Sequence, residues 1–513
     1  MPTEPRAMEI PVVDAPGFRA NPGLRLQDFK RIAQGGFGDG HNSFAHSMAW
    51  FDGKLYVGTT RSNLCMIRVQ SAYHNIPVHT WPIESPDTAD GLYTLDRRAQ
   101  IWCYDPVADT WELVHRAPLV EGSLGELVSR EIGYRAMQVF QSKTDPKPAL
   151  YVSTWASGRA PGGHIIRTYD GHAFERVSRY GILEQRVGAT RCLISFAGRI
   201  FFSPTAQSAA ERQAGEDGSQ CNTGGLPVIF ESREVAGDRW AAASEPGFGD
   251  PGNLAIFSLA TDENRLYAGT FNLAGLQVWA SECQGSPPYK WHKILDRGAG
   301  RGPTNQVVMS MVPFKHAMYV GTGIQGGGTD RVNKVGPAAA ELIRINADDT
   351  WDLIVGDHRA DGKNREPLSG LRSGFGNISN GYVWSLCFHD GWLYAGTCNM
   401  SVMLRWSTLR EAPPKVVRFF EHIDPEVIVE NNGGAELWRS QDGENWMPIT
   451  RRGFGNPYNS GVRNIVSTPR GLFAGTANLF GPRVAVRRGT EWIYEDNPRG
   501  GLEVWLGDHG AAD

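Results

Sequence analysis

The chain has 513 residues and a formal net charge of −4, and its acidic and basic residues are interspersed along its length. This distribution provides no basic patch for nucleic acid or for an anionic membrane surface, so neither partner is expected. Residues 1–23 are rich in proline and lack an apolar stretch after positive charge, so no signal peptide or membrane span is visible and a cytoplasmic location is expected by default.

A short strand-forming phrase recurs along the chain. It reads LYVGT at residues 55–59, and six related copies lie at 150–154, 200–204, 266–270, 318–322, 393–397 and 472–476. Spacings of roughly 50 to 95 residues without helical periodicity are typical of a radial β architecture in which each copy belongs to one sheet. The sequence therefore predicts an all-β fold, a single seven-bladed β-propeller with four-stranded antiparallel blades over residues 28–513, after an N-terminal extension at 1–27.

The four strands of a blade are clearest around the sixth copy. Residues 383–388 alternate as the inner strand, an Asp-Gly turn follows at 390–391, and residues 393–397 form the second strand. The last hairpin turn reads RSQDGENW at 439–446, and RTYDGHAF at 167–174 repeats it. Both phrases resemble the Asp-box of the sialidase-like propeller superfamily. In that motif the Asp binds backbone donors of the turn, so the resemblance implies a structural role and no sialidase activity.

The two termini are predicted to share a blade. A Gly-Phe-Gly-Asp/Asn phrase links a fourth strand to the next first strand at residues 36–39, 247–250, 374–377 and 453–456. The first of these follows residues 28–32, although no complete blade precedes them, and residues 501–506 at the C-terminus match a third strand. Pairing of the two terminal segments would close the ring and remove the exposed edges of an open sheet array.

Long insertions follow several of the second strands, on the connections that emerge on one face of a propeller. They lie at residues 61–98, 206–227, 324–339, 399–434 and 478–500. Because ordered loops on a rigid scaffold commonly carry function, these five are predicted to cap one mouth of the channel. A rim without a role in ligand binding, or one that forms an oligomer contact, is the alternative, and the sequence leaves the oligomeric state open.

Alignment of the inner strands gives one position per blade near the cap, namely His46, Arg135, Arg191, Phe257, Met309, Trp384 and Arg463. Guanidinium groups are permanently charged, so three of them in a narrow channel predict a site for a carboxylate, phosphate or sulfate group. The alternative is that each arginine pairs with a carboxylate or carbonyl and stabilises the core. Trp384 and Trp155 are candidates for a stacking floor under the ligand, with core packing as the alternative.

Two histidines are candidates for proton transfer. His46 lies at the level of the arginines, and His41 precedes it in the connecting loop. An imidazole with an ordinary pKa near 6.5 can act as a general base, and a hydrogen-bonded structural role is the alternative. The arginines resemble the arginine triad of sialidases in physical logic only, because no tyrosine–glutamate nucleophile pair is recognisable.

No motif for a nucleotide cofactor is present, and no cofactor is expected. The acidic segment 421–426 has neither EF-hand nor zinc-ligand spacing, so a solvated loop is favoured there, although a divalent cation stays open. The leading hypothesis is an enzyme, either a hydrolase, a lyase or a specialised-metabolism transferase, that acts on an anionic small molecule or sugar at the capped face. The competing hypothesis is a non-catalytic scaffold that binds a protein or glycan partner there.

Overall fold

The computed structural model describes residues 21–69, 77–182, 187–204, 227–359, 365–408, 418 and 422–510. Over these residues the chain is predominantly β, as the sequence predicts at the level of fold class. Most of the insertion 206–227 and residue 421 lie outside the described residues. None of the helices within the described ranges is both long and apolar enough to span a membrane.

Antiparallel four-stranded units follow one another along the chain. The first contains β2 (Asn42–Phe51), β3 (Lys54–Arg61), β4 (Gln100–Asp105) and β5 (Thr110–Arg116), and a small hairpin of β6 (Leu119–Glu121) and β7 (Leu127–Ser129) follows it. The second contains β8 (Glu131–Phe140), β9 (Ala149–Ala156), β10 (Ile165–Thr168) and β11 (Glu175–Arg176). The third contains β12 (Thr190–Phe196), β13 (Arg199–Pro204), β14 (Phe230–Glu234) and β15 (Arg239–Ala242).

The same order continues in the second half. The fourth unit contains β16 (Asn253–Thr261), β17 (Leu266–Asn272), β18 (Val278–Ser281) and β19 (His292–Leu295). The fifth contains β20 (Val307–Phe314), β21 (Ala317–Gly323), β22 (Leu342–Ile345) and β23 (Trp351–Val355). The sixth contains β24 (Asn380–His389), β25 (Trp392–Asn399), β26 (Leu437–Ser440) and β27 (Met447–Thr450).

The last unit combines both ends of the described chain. It contains β28 (Gly461–Thr468), β29 (Gly471–Ala477), β32 (Val504–Gly507) and the N-terminal β1 (Phe29–Ala33). Strand β1 pairs antiparallel with β32, with Phe29 opposite Gly507 and Arg31 opposite Trp505. The insertion before β32 forms a separate hairpin of β30 (Arg483–Arg488) and β31 (Glu491–Asp496).

Helical segments are short and lie in the connections. The α-helical segments are α1 (Gly35–Gly38), α2 (Asn63–Val69) and α3 (Pro425–Asn432). The 3₁₀ turns are Leu26–Asp28, Asp90–Thr94, Val235–Gly237, Pro246–Gly249, Arg297–Gly300, Gly302–Thr304, Ser373–Gly376, Ser401–Arg405 and Gly453–Gly455.

The phenylalanine of each Gly-Phe-Gly phrase packs on the unit that it precedes. Its ring stacks on the tryptophan of the third strand, with centroid separations of 4.6–4.9 Å in the pairs Phe37–Trp102, Phe248–Trp279, Phe375–Trp438 and Phe454–Trp505. An aromatic residue on the fourth strand or directly before it completes each cluster, namely Trp111, Trp291, Trp446 and, in the last unit, Phe29 of β1. Strand β1 therefore supplies the packing residue that a fourth strand supplies elsewhere.

The two Asp-box-like turns are held by their aspartates. Asp170 accepts hydrogen bonds from the backbone N–H groups of His172 and Ala173, each at 2.8 Å. Asp442 accepts from Glu444 at 2.8 Å and from Asn445 at 2.7 Å in the same way. These contacts hold the tight turns and leave both carboxylates committed to backbone donors.

Three of the predicted cap insertions share a hydrophobic core. Leu64 of α2, Trp406 and Phe480 are buried together, and the rings of Trp406 and Phe480 stack at 5.5 Å. The indole N–H of Trp406 donates to the carbonyl of Ala485 at 2.9 Å, so the insertions 399–434 and 478–500 are also joined by a hydrogen bond. Phe44 of β2 packs against this core, which places the inserted loops beside the start of the first strands.

Candidate functional site

The first strand of every unit has a β-bulge at the same place. In the first unit Ala45 pairs with Thr59 and Ser47 with Gly58, which leaves His46 as the extra residue. The extra residues are, in chain order, His46, Arg135, Arg191, Phe257, Met309, Trp384 and Arg463. A bulge bends its strand and re-aims the side chain of the extra residue. These are the positions that alignment of the inner strands singled out.

The bulge residues all line one cavity of about 230 Å³. Its walls are completed by residues that follow the bulges, namely Ala136, Gln138, Cys192, Leu193, Ile194, Ser258, Leu259 and Asn464. No aspartate or glutamate of the described ranges is among the lining residues. The cavity therefore collects cationic, neutral polar and apolar side chains.

Hydrogen bonds between neighbouring units hold the bulges at one level. Ser47 Oγ donates to the carbonyl of Tyr134 at 2.8 Å, and Ser385 Oγ donates to the carbonyl of Val462 at 2.8 Å. Between the last and first units, Asn464 Nδ2 donates to the carbonyl of Ala45 at 2.6 Å. Each of these acceptors directly precedes a bulge residue, so the backbone before the bulge is held by a side chain of the preceding unit.

Each of the three arginines stacks on an aromatic ring. The guanidinium carbon lies 4.6 Å from the ring centre of Trp155 for Arg135, 3.4 Å from that of Phe257 for Arg191, and 5.1 Å from that of Trp384 for Arg463. Such stacking fixes the plane of a guanidinium without using its N–H groups. The Nε atoms of Arg191 and Arg463 are buried and have no hydrogen-bond partner among the described residues.

The arginines oppose one another electrostatically. Burial and the charge of Arg135 lower the pKa of Arg463 to about 10. The pKa of Arg191 lies well below its usual range for the same two reasons. A lowered pKa in a cation means that its surroundings disfavour the charge, so the folded protein disfavours the charged forms of Arg191 and Arg463.

His46 is a neutral member of this group. Burial, and then the charges of the three arginines, hold the pKa of His46 well below its ordinary value of 6.5. Its Nδ1 is hydrogen-bonded to Thr60 Oγ1, and its ring meets Phe44 edge to face at 5.8 Å. The imidazole is thus oriented by its neighbours and uncharged at neutral pH.

The other two predicted site residues lie outside the cavity wall. Trp155 does not line the cavity, and its ring instead stacks on the guanidinium group of Arg135. His41 lies in the loop before β2, where its Nδ1 is 3.4 Å from Ser62 Oγ. The structure therefore brings His46 and the arginines together and leaves His41 apart from them.

Several lining residues were missed in the sequence. Cys192 and Asn464 each follow a bulge arginine by one position, and that offset is the signal that could have found them. Burial raises the pKa of the Cys192 thiol to about 11, so this thiol stays protonated and is a poor nucleophile. Asn464 is committed through its amide N–H₂ group to the carbonyls of Ala45 and His46.

The acidic segment near residue 424 has structural contacts. Asp424 caps α3 by accepting a hydrogen bond from the N–H of Glu426 at 2.8 Å, and Glu426 forms an ion pair with Arg405. Residue 421 of this segment is outside the described residues. Across the described ranges no three His, Cys, Asp or Glu side chains are grouped so that they could hold a metal ion.

No protein-family model matches the chain, and a comparison with curated proteins finds no match either. Among solved structures, the chain is similar to a puromycin hydrolase, with 8% identity, a TM-score of 0.43 and coverage of 94% of this chain and 56% of that one. A Mycobacterium tuberculosis puromycin-hydrolyzing peptidase is similar at 9% identity and a TM-score of 0.39, with coverage of 90% of this chain and 53% of that one. Trypanosoma rangeli sialidase in complex with sialic acid is similar at 10% identity and a TM-score of 0.34, with coverage of 92% of this chain and 55% of that one. The chain spans about half the length of these three proteins, and similarity at this level identifies no family.

Proposed function

We propose that the protein is a seven-bladed β-propeller, closed by the pairing of β1 with β32, that binds a small anionic molecule in its central cavity. The neighbour relations of the first strands support the ring, because β2 lies beside β8, and the series continues through β12, β16, β20, β24 and β28 back to β2. The inserted loops then lie near one mouth of the channel, as Phe44 links their core to the cavity wall.

One observation carries the proposal of anion binding. Arg135, Arg191 and Arg463 line the same cavity, and no described carboxylate lines it with them. Burial disfavours the charges of Arg191 and Arg463, and their Nε atoms have no partner among the described residues, whereas charge-assisted hydrogen bonds to an oxyanion are among the stronger polar contacts. A bound carboxylate, phosphate or sulfate group would supply a negatively charged acceptor for Arg191 and Arg463.

The alternative role of the arginines, as structural residues paired within the blades, fits the described contacts less well. Several buried arginines elsewhere in the described chain have carboxylate partners, such as Glu341 for Arg359 and Asp145 for Arg167, while Arg439 donates to the carbonyl of Leu24. Arg191 and Arg463 instead lie against aromatic rings and face the cavity. Their environment resembles a binding site more than an ion-pair network.

A second candidate function is catalysis on the bound anion, and His46 favours it. The imidazole lines the same cavity and is kept neutral mainly by burial and by the three arginines. A bound anion would offset the arginine charges, and this would raise the pKa of His46 and make it a better proton acceptor. This is the form in which the protein would be a hydrolase, lyase or transferase acting on an anionic small molecule or sugar.

Thermal denaturation in the presence of simple anions tests the binding proposal. We expect inorganic phosphate or sulfate to raise the melting temperature relative to sodium chloride at equal ionic strength, because a ligand that binds only the folded state stabilises it. Failure of every oxyanion to do so at millimolar concentration would refute the proposal.

Catalysis is tested separately with His46→Gln. Wild-type protein and this variant would be incubated with a mixture of anionic metabolites and acidic sugars, and consumption of each compound would be followed by mass spectrometry. Turnover by the wild type alone, with phosphate-induced stabilisation retained in both, supports an enzyme. Equal absence of turnover, with stabilisation intact, supports a non-catalytic binding protein.

A further inference from the structure

Exposure to solvent along the first strands differs on the two sides of the bulge. The residue directly before each bulge residue is at most 1% exposed, and these residues are Ala45, Tyr134, Thr190, Ile256, Val308, Val383 and Val462. The fourth residue after each bulge residue is partly or largely exposed, and these residues are Trp50, Val139, Ser195, Thr261, Pro313, Phe388 and Ser467. The first strands are therefore buried on the side where they begin and reach solvent on the side where they end.

The cavity lies on the side where the first strands end. Its described walls consist of the bulge residues and of residues one to three positions after them, whereas no described residue before a bulge lines it. Gln138 is among the outermost of these residues, and its Nε2 donates to Ser195 Oγ at 3.3 Å, one position further along the strand. The half-open cavity thus continues toward the turns that join the first and second strands.

Aromatic side chains close the opposite side of the cavity. The ring of Trp384 meets the ring of Phe44 at 5.7 Å and that of Tyr382 at 5.4 Å. Phe44 packs against the hydrophobic core that the insertions share. Tyr382 Oη accepts hydrogen bonds at 2.8 and 2.6 Å from two backbone N–H groups of the insertion 324–339. The insertions therefore cover a closed base of the cavity.

The passage from the bulges to the turns is lined by neutral residues. The first four residues after each bulge are 47–50, 136–139, 192–195, 258–261, 310–313, 385–388 and 464–467, and none of them is Asp, Glu, Lys, Arg or His. The arginines thus lie at the inner end of a neutral passage. A second charge on a ligand would leave water here without a charged partner, whereas a neutral chain would not face that cost.

The closed base and the size of the cavity limit what can be bound. Because the base is closed, atoms attached to an anion at the arginines have to extend toward the turns. An apolar cavity of about 150 Å³ already holds a benzene ring, so a lone phosphate or sulfate group would not fill the 230 Å³ found here. Ligand sites usually enclose most of the ligand surface that enters them, so the rest of this space suits a part of the ligand that adjoins the anion.

We infer that the cavity takes the anionic end group of a longer molecule whose adjoining chain is neutral, and that this molecule enters from the side of the turns between first and second strands. The inference rests on the proposed anion-binding function. It adds to that function a direction of entry, in which the acid meets Arg191 and Arg463 while the chain passes Gln138 and Ser195.

Three acids test the chemistry of the chain by isothermal titration calorimetry at pH 8. They are methoxyacetate, the same acid at one end of a short methoxy-terminated polyethylene glycol, and an acid whose tail of equal length carries a quaternary ammonium group. We expect the neutral-tailed acid to bind at least as tightly as methoxyacetate. The ammonium-tailed acid should bind at least about fivefold more weakly than the neutral-tailed one, because its cation would face the arginines without a carboxylate partner. The series is repeated with phosphate monoesters, and the series that binds identifies the oxyanion.

Affinity-directed labelling tests the direction of entry. The reagent carries the acid at one end and a maleimide at the other end of a neutral tail of about 13 Å, which spans four strand residues of about 3.3 Å each. Ser467→Cys places a thiol on the side of the turns, and Gln325→Cys places one in the insertion 324–339. We expect the reagent to label Ser467→Cys at least about fivefold faster than an alcohol analogue does, because binding raises its local concentration, and to label Gln325→Cys no faster than the analogue.

Two controls accompany the labelling. Wild-type protein treated in the same way gives the labelling of the native cysteines, and peptide mass spectrometry identifies the modified residue. Inorganic phosphate should remove the acceleration at Ser467→Cys if the reagent is held by the arginines. Both variants would first be compared with the wild type by circular dichroism, and calorimetry on the wild type decides the question if either fails to fold.

The possible failures are distinguishable. If methoxyacetate or methyl phosphate binds and its neutral-tailed partner binds more than about tenfold more weakly, the cavity takes free anions only, and the inference is wrong while anion binding stands. Acceleration at Gln325→Cys instead of Ser467→Cys would overturn the direction of entry. An ammonium-tailed acid that binds as tightly as the neutral-tailed one would refute the selection for a neutral chain. If no acid binds and no inorganic oxyanion stabilises the protein, the proposed function fails as well.

Discussion

Replacement of Arg463 by glutamine separates a ligand-binding arginine from a structural one. Arg463 lines the cavity, stacks on Trp384, and has a buried Nε atom without a partner among the described residues. Glutamine keeps a polar side chain but removes the charge. If the site is built for an anion, this change should damage binding far more than folding.

The structure gives the expected size of the effect on stability. The lowering of the Arg463 pKa to about 10 corresponds to on the order of 3 kcal/mol by which the folded protein disfavours its charge, as an upper limit because water in the cavity screens it. Stacking on Trp384 acts in the opposite sense by on the order of 1 kcal/mol. Arg463→Gln should therefore leave the ligand-free stability unchanged or raise it by about 1–2 kcal/mol.

The assay is thermal denaturation at pH 8 in sodium phosphate and in sodium chloride of equal ionic strength. Loss of one charge-assisted hydrogen bond should weaken anion binding by about 1.5–3 kcal/mol, so most of the phosphate-induced rise in melting temperature should disappear in Arg463→Gln. Arg439→Gln is the matched control, because Arg439 is buried, stacks on Trp392 at 5.1 Å and donates to the carbonyl of Leu24, away from the cavity. Because burial lowers the pKa of Arg439 as well, the two variants are compared by the phosphate effect, which Arg439→Gln should keep.

The opposite pattern would refute this reasoning. If Arg463→Gln lowers the ligand-free melting temperature, while phosphate stabilises it as much as the wild type, Arg463 is a structural residue.

Three further predictions follow from the fold and the site. Because the pKa of His46 is held well below 6.5, the unfolded chain takes up a proton on acidification before the folded one does. The free energy of unfolding should thus fall as the pH is lowered from about 7 to about 5. His46→Gln should make this fall shallower when the free energy is measured by urea titration at each pH. Identical slopes of free energy against pH in the two proteins would count against the role assigned to burial and the arginines. Deletion of residues 1–33 removes β1 and exposes the edge of β32, so it should cause a lower melting temperature and aggregation in size-exclusion chromatography, whereas an unchanged melting temperature would contradict the closure of the ring. Phe454→Ala removes the ring contacts with Trp505 and Phe29 and should lower the free energy of unfolding in urea by about 2–4 kcal/mol. The control Phe388→Ala removes a half-exposed ring and should lower it by less than about 1 kcal/mol. Equal losses in the two variants would argue against the stacked cluster.

The level of the cavity residues could be predicted from the sequence because the recurring phrase fixes the register. In the copies at Thr59, Thr322 and Thr397 the bulge falls opposite the Gly-Thr end of the phrase, so strands aligned by the phrase place their extra residues at one height. The alignment therefore found the right positions without knowledge of the bulge. What it could not show is that these residues are outside the regular alternation of the strand, which is the reason that their side chains turn to the cavity.

The stacking partners of Arg191 and Arg463 could not be predicted from the sequence, because they come from neighbouring units. Arg191 stacks on Phe257 of the next unit, and Arg463 stacks on Trp384 of the preceding one. No local pattern links such residues. His41 shows the converse limit, since its closeness to His46 along the chain does not place it in the cavity. It directly precedes β2 and lies beside Ser62.

The proposed closure of the ring and the candidate site depend on the same junction. Asn464 of the last unit donates hydrogen bonds to the carbonyls of Ala45 and His46 in the first unit, at 2.6 and 2.7 Å. Asn464 directly follows Arg463, so these two bonds fix the distance between Arg463 of the last unit and His46 of the first unit. Strand β1 completes the last unit through its pairing with β32 and the packing of Phe29 on Phe454. The N-terminal strand therefore affects the cavity indirectly, because it stabilises the unit that holds Arg463 beside His46.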